Sequence, residues 1–90
     1  MNLEEARELG VVSREVFRAV KVAAAKEWRS VRELTSSSAL AQFKRARVNV
    51  AVVLYRAGLS EHTIAELLGP RGWPAVHDAV DLVAKDGGRK

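Results

Sequence analysis

The chain of 90 residues contains no cysteine. This absence excludes disulfide bonds, thiolate metal ligands and cysteine nucleophiles together, and it fits a reducing compartment, so we expect a cytoplasmic location. Long apolar runs are also missing, since none approaches the roughly 20 residues that a membrane-spanning helix needs. The N-terminal stretch MNLEEARELG is acidic and amphipathic, unlike a secretory signal peptide. We therefore expect no membrane association.

Catalytic motifs are lacking as well. The chain has two histidines, His62 and His77, in different predicted helices. No His-x-x-x-His pair, glycine-rich phosphate loop or nucleophile motif accompanies them. Two histidines with scattered carboxylates are a weak basis for a metal site. We therefore predict a protein that is not an enzyme and that carries no metal or other cofactor.

The composition that remains is that of a small, folded, basic domain. Hydrophobic residues make up 48% of the chain and charged residues 29%, which are ordinary values for one folded domain. The net charge is +4, and it is concentrated: residues 41–72 hold five basic and two acidic side chains, whereas residues 1–10 hold one and three. This distribution permits nucleic-acid binding without requiring it, because many small basic proteins bind none.

Apolar spacing predicts an all-α fold, a compact bundle of about five helices in a single domain. A short first helix from residue 3 to 9 ends at Gly10, and Ser13 is suited to cap the next helix. One face of that next helix is predicted to comprise Phe17, Val20, Ala24, Trp28, Val31 and Leu34. We expect Trp28 to be a core residue. Thr35 to Ser38 should form a loop, with Ser37 or Ser38 as the following cap.

The next predicted helix runs from about residue 39 to 57. Its second half, VNVAVVLY, is apolar on nearly every side, which predicts a central helix surrounded by the others. A buried strand is the alternative for this valine-rich run, but a lone strand would have no partner. Gly58 should end the helix.

Residues 58–84 are predicted to form a helix-turn-helix, followed by a flexible tail from 85 to 90. In GLSEHTIAELLG, Ser60 caps the first helix and Ala65 is small because the second helix crosses close over it. Gly69 allows the turn a positive φ, and Pro74 suits the first turn of the last helix. The predicted inner positions are Ile64, Leu67 and Leu68 in the first helix, and Val76, Ala79, Val80 and Val83 in the second.

The chain resembles the C-terminal DNA-binding domain of the bacterial replication initiator DnaA, in the Trp-repressor-like helix-turn-helix group. The resemblance covers about residues 12–84 and rests on a turn one residue longer than usual, on Gly69 and Arg71, on the Val76–Ala79 step, and on KRAR followed by an apolar run ending in Leu-Tyr-Arg. It implies that Arg71 lies near DNA. The family's polar base-reading positions after this arginine are here Gly72, Trp73, Pro74 and Ala75.

The first functional hypothesis is a small regulatory protein that binds double-stranded DNA through the phosphate backbone, with weak or altered base readout. The predicted phosphate contacts are Lys44, Arg45, Arg47, Arg56 and Arg71, and base readout would fall to Trp73, His77 and Arg71. Asp78 and Asp81 would repel the backbone if they faced it. A purely structural interpretation makes the cations a solvated face paired with glutamates, and makes Trp73 a cap over the core.

The second hypothesis is a protein-interaction module built on the same scaffold. Its rigid tip, with the residues Gly72, Trp73, Pro74 and His77, would bind a protein partner or a second copy of the chain, since tryptophan is enriched among binding hot spots. A small phage or plasmid protein of replication or transcription would fit this description.

Overall fold

The computed structural model describes residues 2–27, 34 and 41–87, with side chains through residue 85. In these parts of the chain the helices are α1 (Leu3–Glu8), α2 (Arg14–Ala25), α3 (Ala41–Arg56), α4 (Glu61–Leu67) and α5 (Gly72–Gly87), and a 3-10 turn (Gly69–Arg71) joins the last two. None of the described residues lies in a strand. The predicted all-α bundle of about five helices is therefore confirmed. No described helix has the length and apolarity to cross a membrane.

Local capping signals define the N-terminal part. Gly10 ends the first helical segment with φ +80°, a conformation that only glycine adopts easily. Ser13 caps α2, because its Oγ accepts the Val16 N–H at 3.1 Å. Both features confirm the sequence prediction.

The second helix is shorter than its apolar periodicity predicts. Phe17, Val20 and Ala24 are buried as expected, but α2 ends at Ala25 and the chain turns there. The prediction of one uninterrupted helix face through Leu34 is thus wrong. The last turn tightens because the Glu27 N–H donates to the Ala24 carbonyl, three residues back. Leu34 is buried outside α2, while the predictions for Trp28, Val31 and residues 35–40 lie outside the described residues.

Helix α3 is central, as its apolar sequence predicts. It contacts α2, α4 and α5. Val50, Ala51 and Leu54 are fully buried. The helix ends at Arg56, and Gly58 follows it with φ +96°.

The α4 to α5 segment also follows its local signals. Ser60 accepts the Thr63 N–H at 3.2 Å, and Gly69 has the expected positive φ of +78°. The predicted inner residues Ile64 and Leu67 of α4 are buried, and so is Leu68, which follows the helix as its C-cap. In α5, Val76 and Ala79 are buried, whereas Val80 and Val83 are half-buried.

The start of α5 corrects the predicted tip. The helix begins at Gly72, so residues 72, 75, 76 and 79 share one face, which is the face that packs inward. Gly72 and Ala75 are accordingly buried. The prediction that Gly72 belongs to a contact tip is wrong, as is the placement of Ala75 there. Trp73 and Pro74 remain exposed.

Gly72 is the partner in the close helix crossing predicted for Ala65. A Cβ atom at Gly72 would lie 2.9 Å from the Ala65 Cα and closer still to the Ala65 carbonyl oxygen. Real Cβ atoms do not approach backbone so closely, which means that only glycine fits here without a shift of α5.

We expect the substitution Gly72→Ala to lower the free energy of unfolding by about 1–3 kcal/mol or more, because it forces α4 and α5 apart. Urea denaturation followed by circular dichroism measures the loss. The control is the same substitution in an Ala65→Gly background. The clash is with the backbone of residue 65, so removal of its methyl group should not rescue the loss, and a rescue would contradict this account.

Candidate nucleic-acid interface

The five basic residues predicted from the sequence do not form one surface. Lys44 and Arg45 are exposed in the first part of α3, Arg56 is exposed at its end, and Arg71 is exposed at the end of the 3-10 turn. Arg47 is buried, with 2% of its surface accessible. The fold therefore divides the cluster into residues with different surroundings.

Three of these cations meet in one cleft. Lys44 and Arg47 from α3, Arg71 from the 3-10 turn, and Pro74 and Ala75 from α5 line a cleft of about 230 Å³, here called the basic cleft. Among these described lining residues, three are cationic and none is acidic. The first turn of α5 adds the partial positive charge of a helix N-terminus. The cleft is therefore suited to an anion.

Arg47 forms the buried part of the basic cleft. Its Nε donates to the Leu34 carbonyl oxygen at 2.9 Å, and its guanidinium carbon lies 5.9 Å from the centre of the Phe43 ring. Burial lowers the pKa of the Arg47 guanidinium, and the positive charge of Arg71 lowers this pKa further. Arg47 is therefore buried and not part of an exposed basic face, because it lies on the inward face of α3. Its role as a phosphate contact stays a prediction.

A signal for this burial is present in the sequence. Arg47 precedes Val50 by three residues and Leu54 by seven, so it falls on the apolar stripe of the central helix. The stretch KRAR suggests an exposed basic run only when this helical register is ignored.

Arg45 and Arg56 lie outside the basic cleft. The Arg45 Nε is 2.6 Å from Glu27 Oε1, with 59% of the arginine side chain exposed. This ion pair joins the start of α3 to the turn that follows α2. An exposed pair of this kind contributes little to stability, about 0–1 kcal/mol, and for Arg45 it agrees with the structural interpretation of the charge cluster.

Three aromatic rings form a second feature beside the basic cleft. The Trp73 ring centre lies 6.0 Å from that of His62 and 6.1 Å from that of His77, with tilted planes. Trp73 is 47% exposed, so about half of its surface is open to a ligand. We call these three residues the ring cluster. His62 was not predicted as a site residue, because only the packing of α4 on α5 brings it to Trp73.

The described residues show no grouping of three or more His, Asp or Glu side chains that could hold a metal ion. Comparison of the chain with protein-family models, curated proteins and solved structures returned no match. The similarity to the DnaA domain thus stays a prediction from the sequence, and the site has to be interpreted from its own geometry.

We expect Arg47→Ala to lower the free energy of unfolding by about 1.5–3 kcal/mol, because it removes the buried charged donor of the hydrogen bond to the Leu34 carbonyl. Arg45→Ala, two residues away on the same helix, should cost at most about 1 kcal/mol. Chemical denaturation of both variants measures the difference. Equal losses of unfolding free energy in the two variants would show that the buried hydrogen bond of Arg47 stabilises the fold no more than the exposed ion pair of Arg45.

Proposed function

We propose that the protein binds double-stranded DNA through the phosphate backbone, in a regulatory role in replication or transcription. The observation that carries this proposal is the basic cleft, where side chains from α3 and from the turn before α5 come together. Lys44 and Arg71 are exposed at the cleft, so a phosphate group can reach them. Cation contacts to phosphate supply most sequence-independent DNA affinity.

In this proposal α4, the 3-10 turn and α5 form a helix-turn-helix that approaches DNA with the first turn of α5. Asp78 and Asp81 are exposed further along α5. With a rise of 1.5 Å per residue they lie about 7.5 and 12 Å beyond Trp73 along the helix axis. A helix lying lengthwise in the major groove would bring these carboxylates to the backbone. An approach by the helix end avoids this repulsion and leaves few base contacts.

A salt titration tests the proposal. Fluorescence anisotropy with a labelled random-sequence duplex at ~50 and ~200 mM salt should show affinity falling about 10- to 40-fold, as two or three phosphate contacts require. No measurable binding at the lower salt concentration would contradict the proposal.

The contact residues give a sharper prediction. Lys44→Ala and Arg71→Ala should each weaken binding and reduce the salt slope by about one, because each removes one phosphate contact. Arg18→Ala is the matched control. Arg18 lines a different groove with Val53, on the side of α3 opposite Lys44, and its loss should change the slope little. If all three substitutions weakened binding equally, the affinity would come from the overall positive charge of the protein and not from contacts in the basic cleft.

A second candidate function is supported by the half-exposed Trp73. Under it, the scaffold is a protein-interaction module, and Trp73 and Pro74 contact a partner or a second copy of the chain. Tryptophan side chains often dominate such interfaces. Light scattering of the wild-type protein and of Trp73→Ala tests self-association, which the variant should reduce if this function is correct.

A further inference from the structure

The ring cluster presents an exposed aromatic surface, in which both imidazoles lie tilted against the half-exposed indole of Trp73. Its ring distances lie within the 4.5–7 Å range of favourable tilted aromatic contacts. Because His62 comes from α4 and both Trp73 and His77 come from α5, two helices restrain the indole. A side chain ordered before binding loses less conformational entropy when a ligand covers it.

The ring cluster and the basic cleft share the first turn of α5. Pro74 lines the cleft. Trp73 is its direct neighbour in the chain, so the two Cα atoms are about 3.8 Å apart. Successive side chains of a helix are rotated by about 100°, so the indole points away from Pro74 around the α5 axis, and a polyanion in the cleft reaches it by extending around this first turn. A ligand that offers both a phosphate group and a flat unsaturated ring within a few ångströms matches the two features together, and a nucleic-acid strand offers them at every nucleotide.

We propose that Trp73, restrained by His62 and His77, contacts a base of the DNA strand whose phosphate lies in the basic cleft. This inference rests on the proposed DNA binding. The contact would be a stack or a partial wedge at a base step, and it would tolerate sequence changes because every base has a π-face. A base that is already unpaired costs less to unstack. The protein should therefore prefer a duplex with a single-base bulge over the fully paired duplex.

Substitution of Trp73 tests this role by anisotropy on both duplexes. Trp73→Ala should weaken binding by about 5- to 150-fold and should remove the preference for the bulge, with the salt slope unchanged because no cation is lost. Trp73→Phe should keep most of the affinity. The matched control is Leu82→Ala: Leu82 lies on α5 with the same exposed fraction of 47%, but on the opposite side of the helix, and its loss should leave binding unchanged.

Intrinsic fluorescence gives a readout that does not depend on the alanine variant folding. The chain has two tryptophans, so the difference between wild-type and Trp73→Phe spectra isolates the emission of Trp73. Addition of unlabelled duplex should quench this difference signal, as stacking on a base requires.

The outcomes separate this inference from the proposed function. Salt-dependent DNA binding with Trp73→Ala equal to Leu82→Ala, and with no quenching of Trp73, overturns the inference and leaves the proposed function standing. Absence of DNA binding by the wild-type protein overturns both. Loss of self-association in Trp73→Ala with unchanged DNA affinity assigns Trp73 to a protein contact and overturns the inference.

Discussion

The close packing of Gly72 on the backbone of Ala65 is the constraint on which the candidate site depends. It holds the start of α5 directly against α4, with no room for a side chain between them. This contact fixes where the first turn of α5 lies. Pro74 and Ala75 then face the cations of α3, and Trp73 meets His62 of α4. The basic cleft and the ring cluster are thus two consequences of one backbone contact.

The buried Arg47 is costly for the fold. Transfer of a guanidinium from water into the protein costs free energy, and the nearby positive charge of Arg71 increases this cost. The hydrogen bond to Leu34 and the Phe43 ring offset part of it. Apolar residues in such positions often give equal or greater stability. Under the proposed function, a phosphate group bound in the cleft would offset the charge repulsion between Arg47 and Arg71.

Much of the fold was predictable because its signals are local. The caps at Ser13 and Ser60 and the positive φ angles at Gly58 and Gly69 need only a few neighbouring residues. The predictions that the structure contradicts concern the bounds of helices and the faces that they turn inward. The end of α2 and the burial of Gly72, Ala75 and Arg47 depend on where a helix begins or ends and on which face turns inward, and small shifts in these bounds exchange buried and exposed positions. Likewise, no local pattern places His62 beside Trp73, since that pair forms across two helices.

The arrangement of charge along α5 limits what the proposed interface can do. Its cationic and aromatic groups lie at the first turn, while Asp78 and Asp81 occupy later exposed positions. A polyanion can approach only one end of the helix without meeting carboxylates. Such a small contact area gives few hydrogen bonds to base edges, so under the proposed function direct readout is weak. Any sequence preference would then have to come from the ease with which particular base steps open or bend. The free energy of inserting a side chain such as Trp73 depends on that property of the step.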